Sequence, residues 1–340
     1  VAVTISGQMA ASTITGQVDL SAESRARELR DDRGRWTRSP GAAGDVPPAA
    51  AADETPEESV TRFAARAATV VPGLLGGGHE AFSGNVKVLD PATYAGFSAA
   101  LEWDGTMDFG GDLAARMQQD AAGTGPVADP RAYLTVLHEL IHGTVPQGQD
   151  YSAGMTDYLN QPEVATMEEG FTELGAIHHA AGFFTKMGVG GREVKDGGTM
   201  AGHAQRLAAP ERIASGDAWG HYGWETAAAQ GWVTAAAAAE GKGGDRAREL
   251  ADEINREGVP GKLAALARQA VRAAGADPMP PSRLAAVQSA ILAAWPDYPE
   301  GEASAWAGQA WEAAAAAVKA GNVVGLVAAP RGWSSWPPDW

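Results

Sequence analysis

Apolar positions in this chain fall into helical spacing far more often than into alternation, and several helices carry their own start and stop signals. Thr55-Pro56-Glu57-Glu58 reads as an N-cap, a first-turn proline and a capping-box glutamate. Val60, Phe63, Ala64, Ala67 and Val71 then recur on one helical face. Upstream the pattern is different. Residues 1–20 alternate small polar and apolar positions, with Gly7 and Gly16 as breaks, and admit a strand or two. An arginine-rich stretch over 21–39 is followed by prolines, alanines and acids that bury no core and read as a linker. The expected division is an N-terminal segment over 1–54, a core domain over 55–235 and a helical region over 236–340.

Within the core, Val86-Lys87-Val88-Leu89 follows a glycine-rich turn and has strand character. Asp90-Pro91 predicts a second helix, with Tyr94, Phe97 and Leu101 on its buried side. Gly105 to Phe109 (GTMDF) alternates and predicts another strand. Asp129-Pro130 opens a helix over 131–143, and Pro162 opens one that runs to about Lys186 and stops near Gly188. Beyond His203 the pattern is alanine-rich and helical, with helices expected at roughly 222–239, 245–256, 261–274, 283–295 and 302–319. The expected fold class is α+β and mostly helical, with a small sheet.

Composition narrows the function. Hydrophobic residues make up 45% of the 340 positions, but many are alanine, which buries little area, so the main core is expected to be narrower than the chain. A net charge of −16 argues against general nucleic-acid binding and against an anionic membrane surface. The absence of cysteine excludes disulfides, thiolate-ligated zinc and a cysteine nucleophile. No apolar run is long enough to span a bilayer, and the first twenty residues lack the basic start and continuous apolar stretch of a signal peptide. A soluble intracellular protein is expected.

The chemistry concentrates in LTVLHELIHGT, which contains His138-Glu139-Leu140-Ile141-His142. Two histidines four apart on a helix differ by about 40° in azimuth, one turn above the other, so both imidazoles reach one ion. Zinc takes neutral imidazole nitrogens in tetrahedral arrangement. Glu139 then projects beside the metal without ligating it, placed to take a proton from zinc-bound water and pass it to a leaving amine. Leu134, Leu137, Leu140 and Ile141 bury this helix, so its polar triplet needs partners. A hydrogen-bonded structural histidine pair is the competing reading.

A catalytic zinc site needs a third protein ligand, and no histidine follows His142 at short range. The helix opened by Pro162 offers Glu168-Glu169-Gly170-Phe171-Thr172-Glu173. Glu169 and Glu173, four apart on one face, suit a ligand and an acceptor that fixes a ligating imidazole. Glu168, about 100° away, is the reserve ligand. Gly170 is expected to let the helix bearing HELIH and this helix approach closely. His178, nine residues after Glu169, lies close to the opposite helix face; it and His179 read as surface or structural histidines, and His79 has no evident partner.

On HELIH (138–142) and EEGFTE (168–173), the sequence resembles the gluzincin branch of the zincin metallopeptidases, over about residues 55–235. The resemblance implies a zincin-like core, Zn2+ as cofactor and a protein or peptide substrate bound along a strand edge, the role given to GTMDF. It also implies a hydrogen-bond donor to the tetrahedral intermediate. His221 and Tyr222 in WGHYGWE are the candidates, with His203 and Tyr158 behind them. RELRDDRGRWTRSPG (27–41) is similar to basic stretches near the ends of tailed-phage head and portal proteins. That likeness raises a virion-associated role for the same domain. A head segment joined to a catalytic core also fits an effector peptidase carried by a secretion device.

Overall fold

The computed structural model describes residues 54–94 and 97–122, most of 126–216, residues 222–295 apart from 277, and scattered positions between 307 and 318. The expectations for residues 1–53, the basic stretch among them, and for the tryptophan-rich tail lie outside the described residues.

Helices dominate, and one three-stranded sheet accompanies them. The chain enters through α1 (Pro56–Ala68) and α2 (Val71–Leu75), then forms β1 (His79–Glu80), β2 (Val86–Leu89), β3 (Ala99–Leu101) and β4 (Met107–Gly110). It continues through α3 (Gly111–Ala122), α4 (Arg131–Gly143), β5 (Thr144–Val145) and a 3-10 turn at Tyr151–Gly154. The rest is α5 (Pro162–Lys186), α6 (Met200–Leu207), α7 (Pro210–Ala214), α8 (Gly223–Ala239), α9 (Gly244–Asn255), α10 (Gly258–Ala273) and α11 (Pro281–Ala294). Among the described residues, no helix is long and apolar enough to cross a membrane.

The helix starts follow from local chemistry. Thr55 Oγ1 accepts the Glu58 N–H at 3.2 Å while Glu58 Oε2 accepts the Thr55 N–H at 2.7 Å, the reciprocal pair of a capping box. Proline opens α5 as well, and Gly188, at φ 76°, follows its end. Residues 166–177 of this 25-residue helix are buried without a break because both of its sides are covered. Ala176, Ala180, Phe183 and Phe184 join a core built from the sheet and α1 to α4. Met167, Phe171, Leu174 and Ile177 join a second core built from α8 to α11. Of the helix expected over 302–319, Ala307, Trp311, Ala314 and Val318 are described, and all four are buried in that second core at helical spacing.

Two sequence expectations fail around the sheet. Asp90-Pro91 starts a turn rather than a helix. Asp90 accepts the Ala92 N–H at 3.2 Å and the Thr93 hydroxyl at 2.8 Å, which closes one turn. The chain then leaves it to pair Ala99–Leu101 with β4. Phe97 and Leu101 are buried as expected, but against different clusters: Ala99 and Leu101 share one face of the strand, while Ala100 turns to the other with Phe97, which precedes the strand. Cross-strand pairing overrides the helical spacing here. The second failure concerns GTMDF. Its strand is the centre of the sheet, parallel to β2 and antiparallel to β3, so it offers no free edge. The strand beside the HELIH helix is β3.

Candidate metal centre

The apolar stripe of α4 sets where its polar residues go. Leu134, Leu137, Leu140 and Ile141 sink into the first core, and His138 and His142 emerge side by side toward α5. Their Nε2 atoms lie 3.1 Å apart. Glu169 Oε2 completes a triangle, 3.1 Å from His138 Nε2 and 3.4 Å from His142 Nε2. Tetrahedral ligands at zinc-nitrogen and zinc-oxygen bond lengths stand roughly 3.3 Å from one another. The three atoms therefore already hold the spacing of three corners of such a site. His138, His142 and Glu169 form the buried group suited to a metal ion among the described residues.

The outer nitrogens are fixed by carboxylates. His138 Nδ1 meets Glu173 Oε2 at 2.8 Å, and His142 Nδ1 meets Glu168 Oε1 at 2.9 Å. With each Nδ1 proton donated outward, both Nε2 lone pairs face the centre, as metal ligation requires. Glu173 stands where sequence spacing places it. Glu168 does not act as a reserve ligand in this arrangement: it is turned to His142 Nδ1 and to Lys262, whose Nζ is 2.6 Å away.

Electrostatics show how heavily this group is loaded. Burial alone lowers the His138 pKa, but the carboxylates of Glu169 and Glu173 at its two nitrogens outweigh it and push it up to about 10. Burial opposes ionisation of Glu169, yet the two histidines hold its carboxyl well below the ordinary range. Without a cation, a proton is the only way to reconcile two imidazoles and a carboxylate at these distances.

Glu139 sits next to this triangle and is held by one oxygen only. The Leu101 N–H of β3 donates to Oε2 at 3.0 Å, while the sealed Oε1 has no hydrogen-bond partner among the described residues. Burial pushes its carboxyl pKa up, against the pull of the two histidines. Tyr158 donates its hydroxyl to Glu169 Oε1, the oxygen turned away from the histidines, and sets its ring edge to His142 at 6.2 Å. Tyr222, the residue before α8, stacks on the His138 ring at 5.5 Å and 10°.

His221 lies outside the described residues. His203 is on α6, with Arg206 Nη2 3.4 Å from its Nδ1. His179 bonds Asp252 at 2.8 Å, a tie between α5 and α9. Gly170 does permit a close approach, but not to α4. A Cβ there would stand 2.4 Å from the Glu225 carbonyl oxygen of α8. Lys262 is the site residue that sequence reading missed. Val259, Lys262, Leu266 and Gln269 follow one another at helical spacing on the buried side of α10, so a lysine interrupting that stripe was its signal. No protein-family model, curated protein or solved structure matches the chain.

Proposed function

We propose that the chain is a zinc-dependent peptidase with a zincin-like core, hydrolysing a protein or peptide substrate at His138, His142, Glu169 and Glu139. One observation carries this reading: three lone-pair donors converge at metal-ligand spacing while the Glu139 carboxylate beside them keeps one oxygen uncommitted. Two imidazoles and a carboxylate suit zinc, and the ion supplies Lewis acidity that brings water into the range of a carboxylate base. The same donor set accommodates iron(II). An adjacent base with a free oxygen favours hydrolysis.

The chain's own groups have separable parts. Glu139 Oε1 takes the proton from the attacking water, and Leu101 keeps the carboxylate from swinging away. Glu173 and Glu168 hold the imidazole tautomers, and Tyr158 holds Glu169 through its hydroxyl. His138, Glu139, His142 and Glu169 are buried, and the rings of Tyr158 and Tyr222 lie against the histidines. Substrate entry therefore parts these rings, as in enzymes that close over their reaction.

The test is metal content by mass spectrometry on wild type and Glu169→Ala, purified without added zinc. About one zinc per chain, lost in the variant, is the expected result. A wild type that takes no metal on reconstitution removes the peptidase reading.

A further inference from the structure

We infer that Lys262 is a positioning residue of the metal centre, holding His142 in its ligating orientation from α10 through the carboxylate of Glu168. The inference rests on the proposed metal-binding role of His138, His142 and Glu169.

Three donors share one oxygen. Glu168 Oε1 lies 2.6 Å from Lys262 Nζ, 2.9 Å from His142 Nδ1 and 3.3 Å from Thr172 Oγ1. Lys262 Nζ also reaches Thr172 Oγ1 at 2.7 Å, so ammonium, hydroxyl and imidazole fix the carboxylate from separate directions. Among the described residues Lys262 is the only buried lysine or arginine, and it is fully buried. Helix packing does not ask for it, since an aliphatic residue would continue the stripe of Val259 and Leu266 without desolvating a charge. What it does meet is a charge excess. Glu139, Glu168, Glu169 and Glu173 are all buried around one centre.

The two outer carboxylates thereby become unequal. Among the described residues Glu173 has no lysine or arginine partner and bonds His138 at 2.8 Å. Glu168 is shared with an ammonium, so it draws less on the His142 Nδ1–H and stays locked in place by its second donor. Lys262 also ties the helices beyond residue 255 to the chemistry of α4 and α5. Loss of that tie frees Glu168 to turn and His142 to tilt, which weakens a ligand without removing it.

Two readouts test this on wild type, Lys262→Met and the double variant Lys262→Met/Glu168→Gln. Zinc affinity is measured by competition with a chromophoric chelator, and the visible spectrum of the cobalt(II)-loaded protein reports ligand geometry. Lys262→Met is expected to bind zinc about 10- to 100-fold more weakly and to shift the cobalt bands. The double variant removes both charges, so it recovers the melting temperature of the metal-free protein but remains weaker than wild type in zinc affinity. Zinc affinity and cobalt bands equal to wild type in Lys262→Met would show that the lysine only supports the fold. Should that variant not fold, wild-type affinity in the double variant overturns the inference in the same way. A wild type that binds neither metal removes the metal reading itself, a result distinct from either.

Discussion

The main-chain N–H of Leu101 donates to Glu139 Oε2 over 3.0 Å, so an edge strand rather than a side chain anchors the candidate base. The Leu101 carbonyl accepts the Tyr151 hydroxyl at 3.0 Å, so both outward groups of this residue are engaged. The main-chain groups of Leu101 face away from β4 because ladder bonds alternate along an antiparallel pair: Gly110 N–H donates to Ser98 and Glu102 N–H to Thr106, which leaves Leu101, opposite Met107, at a position turned outward.

Glu139→Gln separates the base from the ligands. The amide oxygen still accepts from Leu101, so the helix and the three donor atoms keep their places. Zinc stoichiometry is expected to match wild type while peptide hydrolysis falls by about 10²- to 10⁴-fold. Metal analysis and a peptidase assay on the same preparation check both. Loss of zinc in this variant would make Glu139 a ligand and displace the assignment.

Gly170→Ala tests the packing of α5 on α8. The added methyl would meet the Glu225 carbonyl carbon at 2.7 Å as well as its oxygen, and main chain cannot move aside as a flexible side chain does. A loss of about 1–3 kcal/mol is expected in urea unfolding, as for other overpacked sites. An unchanged midpoint would mean that the two helices are further apart.

His178 gives a pH dependence away from the metal centre. Burial of the ring, with Arg248 and His179 adding to it, lowers its pKa from 6.5 to about 3, and its sealed Nδ1 has no hydrogen-bond partner among the described residues. The folded chain resists protonating this ring, whereas the unfolded chain protonates it readily. Its contribution to stability is therefore fully present above pH 6.5 and is lost as pH falls toward about 3. His178→Gln should flatten that part of the profile, read as urea midpoints at several pH values. A wild-type slope in the variant would assign the acid sensitivity to other groups.

The parts legible in the sequence were those written in local chemistry. The capping box at Thr55, the proline starts of α1 and α5 and the four-residue spacings in HELIH and around Glu169 each depend on neighbours within one turn. What escaped depends on distant pairing. Ala99–Leu101 is a strand because β4 lies beside it, and β4 is central because β2 returns on its other side. Gly170 reads as a close-approach residue, but nothing near it in sequence says that α8 is the neighbour. Glu168 is set apart from Glu173 chiefly by Lys262, 94 residues away. The lysine itself was visible as an interruption of an apolar stripe, with no hint of its partner.

Tyr158 and Tyr222 meet the site differently, and the donor role that sequence spacing left open between several tyrosines and histidines can be tested on them. The Tyr222 backbone is pinned, since its carbonyl accepts the Thr226 N–H at 2.8 Å and the Thr226 hydroxyl at 2.6 Å. Its ring lies flat on His138, a contact that phenylalanine would keep. Tyr158 instead donates its hydroxyl to Glu169, a ligand of the proposed ion, and under the proposed function it would turn from there to the oxyanion of a tetrahedral intermediate. Tyr222→Phe is therefore expected to leave kcat near wild type. Tyr158→Phe is expected to lower kcat by about 10²-fold at saturating zinc, with less effect on KM. Steady-state kinetics on both variants, at matched metal occupancy, decide between them. The opposite ranking would make Tyr222 the donor and leave Tyr158 as a support for Glu169.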